Sequence, residues 1–89
     1  MSDAIQDPDE LERAAIERAR AAEQRAATAE ARAAQARQEA EQAVTDEARA
    51  VHEREARVHE RAAKAHRQAK ELQDRHAAHA RQLDERERS

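Results

Sequence analysis

Small and apolar residues recur along most of this chain at alternating steps of four and three. Ala15, Ala19, Ala22, Ala26, Ala29, Ala33, Ala36, Ala40 and Ala43 make one unbroken a/d seam, the spacing that keeps one stripe of a helix turned toward a partner. After residue 43 the seam resumes one residue later, through Val44, Ala48, Val51, Glu55, Val58, Ala62, Ala65, Ala69, Leu72, His76, His79 and Leu83. A one-residue skip of this kind locally relaxes left-handed supercoiling. Polar and charged residues fill most of the other positions, so the pattern predicts amphipathic helix rather than strand.

The start of that helix is written in Asp7-Pro8-Asp9-Glu10. Asp7 stands at the N-cap, Pro8 at N1 and Glu10 at N3, a capping-box arrangement whose acids also suit the positive end of the helix dipole. Arg86 and Arg88 suit the negative end. From Asp9 to Ser89 there is no glycine, proline, cysteine or aromatic residue to interrupt the helix. The expected fold is therefore all-α, a single long alanine-rich helix over about residues 8–88, forming a coiled coil with a heptad skip or kink at 43–46. At roughly 1.5 Å per residue such a rod is on the order of 120 Å long. Val44-Thr45-Asp46 has the weakest helix propensity in the body of the chain. The alternative is accordingly a helical hairpin turning at 44–46, but the absence of breakers favours the continuous helix. Three segments follow: an acidic, frayed N-terminal tail and cap (1–7), an alanine-seam helix (8–43), and a His/Arg-flanked heptad segment (44–89).

Composition sharpens this picture. Of 34 hydrophobic residues, 25 are alanine, so the chain lacks the large side chains of a globular core. Acids and bases nearly balance, 20 against 17, for a net charge of −3. Protonating all five histidines would carry the formal charge to +2, a reversal within reach of mild acid. No apolar run approaches the length of a signal peptide core or a membrane span, and cysteine is absent. A cytoplasmic setting is expected. The excess of arginine over lysine, 15 to 2, points to a GC-rich bacterial source.

The second segment repeats itself over one heptad. Ala50-Val51-His52-Glu53-Arg54 recurs as Arg57-Val58-His59-Glu60-Arg61. With the seam as drawn, His52, His59 and His66 share an e-position stripe, and Arg54, Arg61 and Arg75 lie at g. An antiparallel homodimer through this half sets Val51 against Leu83, Glu55 against His79, Ala62 against Leu72, and Ala65 against Ala69, so that Leu72 faces a small residue and the buried acid Glu55 meets a possible cation. The expected interface is thus Val51, Glu55, Val58, Ala62, Ala65, Ala69, Leu72, His76, His79 and Leu83. A protonated His79 opposite Glu55 favours that dimer in mild acid, while protonating the e-position histidines adds charge to a basic segment and opposes it. The alanine seam of residues 15–43 is left to dock on a second helical partner.

Chemistry beyond association has little foothold. There is no Cys, and without glycine there is neither a phosphate loop nor a dinucleotide fingerprint. His52-Glu53-Arg54-Glu55-Ala56 misses the H-E-x-x-H pattern at position 56, and His76 with His79 supply too few ligands for a structural zinc site. No catalytic residue, metal or cofactor is expected. Arg54, Arg57, Arg61 and Lys64 form a basic stripe suited to phosphates, interrupted by Glu53, Glu55 and Glu60 and lacking aromatics for base stacking.

In bulk composition the chain resembles helical proteins of the late-embryogenesis-abundant type, being hydrophilic, alanine-rich and without Cys or Trp. It lacks their repeated lysine- and threonine-containing eleven-residue motif. That resemblance implies a stress protectant. In layout, a small His-bearing helix associating through its later half, it also resembles the mitochondrial ATP-synthase inhibitor protein, but the glycine- and aromatic-containing inhibitory stretch of that family has no counterpart here. The leading expectation is a structural or adaptor coiled coil acting by helix–helix association, with a pH-sensitive element in its histidines. The alternatives are the stress protectant and weak nucleic-acid binding through the Arg54–Lys64 stripe.

Overall fold

A computed structural model describes residues 7–88. The expected fraying of the first six residues falls outside that range. Two helices, α1 (Pro8–Gln42) and α2 (Asp46–Arg88), account for nearly all of the described chain. They fold back on one another as an antiparallel hairpin, 66 Å along its longest axis. At roughly 1.5 Å per residue, the 43 residues of α2 span about 64 Å, which accounts for that length. The all-α expectation is met in its hairpin form, and the continuous rod is replaced by a chain reversal at Ala43–Thr45.

Both helix starts follow from their caps. The Asp7 Oδ1 carboxylate oxygen accepts a hydrogen bond from the Asp9 N–H at 3.1 Å, and Pro8 occupies the first turn, where its missing N–H costs nothing. At the second start, Thr45 Oγ1 accepts from the Ala48 N–H at 3.1 Å, and the Thr45 carbonyl accepts from the Arg49 N–H. Asp46 and Glu47 then place two acids in the first turn of α2, on the favourable side of its dipole. Between the caps, Ala43 is extended (φ −65°, ψ 135°) and its N–H closes on the Ala40 carbonyl at 3.3 Å. The reversal needs no positive φ, so it needs no glycine.

What holds the hairpin together is small. Among the described residues, the fully buried ones are all alanine: Ala15, Ala19, Ala22, Ala26, Ala29, Ala33, Ala36 and Ala40 from α1, and Ala56, Ala63, Ala77 and Ala80 from α2. Methyl groups at both faces let the backbones approach closely. Each buried carbon contributes roughly 0.8 kcal/mol, and alanine loses no rotamer freedom in the process. A straight rod would leave both seams in water, which is the physical reason the reversal prevails despite the absence of breakers.

The two seams fare differently against expectation. In α1 the seam lies where its spacing puts it, from Ala15 to Ala40, with Ala43 half-buried beyond the helix. Its occupant, however, is α2 of the same chain, so the seam is not free for a second partner. In α2 the inward stripe is turned one residue from the apolar seam. It runs through His52, Ala56, His59, Ala63, His66, Lys70, Gln73, Ala77, Ala80 and Asp84, all buried or half-buried. His52, His59 and His66 therefore sit at the helix–helix boundary rather than beside it.

Candidate functional site

The face of α2 that bears its larger aliphatic side chains points away from α1. Val51 is 43 % exposed, Val58 58 % and Leu72 48 %. Of the other residues expected at an interface, Glu55, Ala65, Ala69, His76 and His79 are also exposed, and Ala62 and Leu83 are half-buried. All ten lie on one stripe of α2, about 100° around the helix from the stripe packed on α1. The hairpin does not consume this surface.

The two flanks of the hairpin are built from different chemistry. One is stitched by ion pairs between the helices: Glu12 with Arg81 at 3.2 Å, Glu30 with Arg67, and Arg37 with Glu60. These side chains are mostly about half exposed, so each pair is worth no more than about 1 kcal/mol. Glu30 is thus engaged with α2 of its own chain. On the other flank, Arg18 Nε donates to Gln73 Oε1 at 2.8 Å.

The opposite flank holds an open cleft of about 410 Å³. Arg25, Arg32 and Thr28 line it from α1, and His59, His66 and Ala62 from α2. Toward the turn, a second cleft is lined by Arg32, Gln35, Glu39, Glu55 and His59. Here three side chains converge. His52 Nδ1 lies 3.1 Å from Glu39 Oε2 and 3.6 Å from Glu55 Oε1, and ligand atoms of all three lie within 4.8 Å of one another. Nδ1 is out of contact with solvent and has no hydrogen-bond partner, because its approach to the carboxylates has ion-pair distance without hydrogen-bond direction. Gln35 Nε2 donates to the other Glu39 oxygen at 3.1 Å, which fixes Oε2 toward the imidazole.

Comparison with known proteins finds no match. No family model, no curated protein and no solved structure is similar to the chain.

Elsewhere on α2, Lys70 Nζ contacts Asp74 Oδ2 at 2.8 Å, and this hydrogen bond and charge hold the Lys70 ammonium above its ordinary pKa. The basic stripe of Arg54, Arg57, Arg61 and Lys64 is exposed along the outer surface. Glu60, which interrupts that stripe in the sequence, accepts from Arg37 of α1. No described helix is long and apolar enough to cross a membrane.

The Glu39–His52–Glu55 convergence was beyond the reach of sequence spacing, since Glu39 arrives from the other helix. The signal for it was the i, i+3 pair His52 and Glu55 combined with a reversal near residue 44, which sets residue 39 opposite 52.

Proposed function

We propose that this protein acts by helix–helix association, as a non-catalytic structural or adaptor hairpin whose outer α2 face takes a second copy of itself. The observation that carries this reading is the exposure of Val51, Val58 and Leu72 on a single heptad-spaced stripe. Val51 to Leu83, Glu55 to His79, Ala62 to Leu72 and Ala65 to Ala69 are the antiparallel layers between the two copies, and most of these side chains are open to solvent in the single hairpin. Burying a Val or Leu side chain stabilises an association by roughly 1.5–3 kcal/mol, so six such residues across two copies favour a dimer. The stripe lies beside the α1 contact rather than opposite it, as in a four-helix arrangement where each helix touches two neighbours. A cytoplasmic setting and a pH dependence through Glu55 and His79 belong to this proposal.

Sedimentation equilibrium of the full chain tests it. The expected mass is twice the 10.1 kDa of one chain, and Val58→Glu combined with Leu72→Glu is expected to return the monomer with its helicity intact. A wild-type monomer at high micromolar concentration would remove the dimer. Orientation is read by mixing Ala65→Cys and Ala69→Cys chains under oxidation: mixed disulfides support the antiparallel order, and homodisulfides alone assign the parallel one. A salt-dependent shift of nucleic acid on a gel would instead favour the Arg54–Lys64 stripe as the working surface.

A further inference from the structure

We propose that Glu39, His52 and Glu55 form a binding site for a divalent transition-metal ion of the zinc type, bridging α1 and α2 beside the turn. Three potential ligand atoms meet there, two carboxylate oxygens and the imidazole Nδ1, and Nδ1 has no hydrogen-bond partner. Such an arrangement wants a cation. The donor set, one imidazole nitrogen and two carboxylates, suits zinc and its neighbours rather than magnesium or calcium, which take oxygen ligands.

The distances suit it as well. Zinc bonds of about 2.0–2.1 Å place the ligand atoms of a tetrahedral site about 3.3 Å apart. The Nδ1 separations from Glu39 Oε2 and Glu55 Oε1, 3.1 Å and 3.6 Å, bracket that value. Gln35 supplies the outer hydrogen bond that orients a ligating carboxylate. The glutamates are 40 % and 48 % exposed, which leaves an entry path and room for water in the fourth position. His59 lines the same cleft as Glu39 and Glu55 and offers a second imidazole. The alternative occupant of the space is a proton on Nδ1, drawing the two carboxylates as ion-pair partners. A metal ion displaces such a proton, so the two cases separate by whether stoichiometric zinc binding is seen.

The site is made within one chain; it shares Glu55 with the Glu55–His79 layer of the association proposed above, so its failure and that of the dimer are read by separate variants. The test is competition for Zn²⁺ between the full-length, metal-stripped protein and a chromogenic chelator at pH 7.5, together with thermal unfolding followed by circular dichroism. One equivalent of zinc is expected to bind and to raise the Tm. His52→Ala and Glu39→Gln, on opposite helices, are each expected to weaken binding at least tenfold and to abolish the Tm rise. Alanine at position 52 favours helix, so the fold survives the first variant. His76→Ala with His79→Ala is expected to leave binding unchanged, as is Leu72→Glu, which reads self-association separately. Unchanged affinity in either His52→Ala or Glu39→Gln would overturn the proposal, as would loss of binding in the His76/His79 variant or no binding by the wild type at micromolar zinc.

Discussion

The inner seam of the hairpin and the outer face of α2 invert the usual distribution of side-chain size. Inside, every buried residue among those described is alanine. Outside, Val51, Val58 and Leu72 stand in solvent. The difference teaches that the chain closes on itself by close backbone approach rather than by bulk, and it leaves its larger side chains for another surface. The inner contact is made of many small terms distributed over the helix length, whereas the outer one rests on a few side chains spaced by heptads.

The largest expected effect comes from forcing bulk into the seam. Ala56 is fully buried, and Ala56→Leu should destabilise the hairpin by about 1–3 kcal/mol through overpacking, read as a lower urea midpoint. On the outer face, Val58→Leu should leave monomer stability within about 0.5 kcal/mol. Equal responses at the two positions would erase the distinction between the faces. Next in size is the turn that brings the seams together. Thr45→Ala removes the cap on the Ala48 N–H and should cost about 1 kcal/mol, and a melt indistinguishable from wild type would show that the seam alone sets the reversal. The ion-paired flank should contribute less. Arg67→Gln, which breaks the pair with Glu30, is expected to cost no more than about 1 kcal/mol, with the loss fading as salt is added. The smallest effect lies at Lys70. Asp74 raises its pKa in the folded chain, so its stabilising contribution is fully present below the unfolded lysine value of about 10.4. That contribution is lost as pH climbs through the raised value. Lys70→Met should lower stability slightly at neutral pH, where that contribution is present, and flatten the alkaline end of a stability-versus-pH curve.

Much of this was legible in the sequence. The α1 seam from Ala15 to Ala40, the Asp7-Pro8 start and the basic end at Arg86 and Arg88 follow from spacing and capping alone. The place of the reversal was legible as the alternative, in the weak helix propensity of Val44-Thr45-Asp46; its preference over a continuous helix was not, because no helix breaker stands there. The readable signal was instead a residue that starts a helix: Thr45 followed by Asp46 and Glu47. The face of α2 turned inward was missed by one residue for a related reason. Hydrophobicity singles out Val51, Val58 and Leu72, but an all-alanine partner is approached most closely by a stripe with methyls of its own, and Ala56, Ala63, Ala77 and Ala80 provide it. The site at Glu39, His52 and Glu55 then depends on both facts at once, the reversal and the rotation, and neither is visible in local spacing.

The uniform α1 seam has one more consequence. Because the same residue returns at every a and d position from Ala15 to Ala40, sliding α2 by a heptad along α1 would again set methyl against much the same surface, with little loss in packing. The seam specifies closeness but is nearly degenerate in register. What selects a single alignment must be the features that do not repeat: the fixed length of the turn at Ala43–Thr45, and the cross-helix partners Glu12–Arg81, Arg18–Gln73, Glu30–Arg67 and Arg37–Glu60. Contacts that add little to stability thus serve as the vernier of the fold, since a slipped hairpin would have to break all of them together.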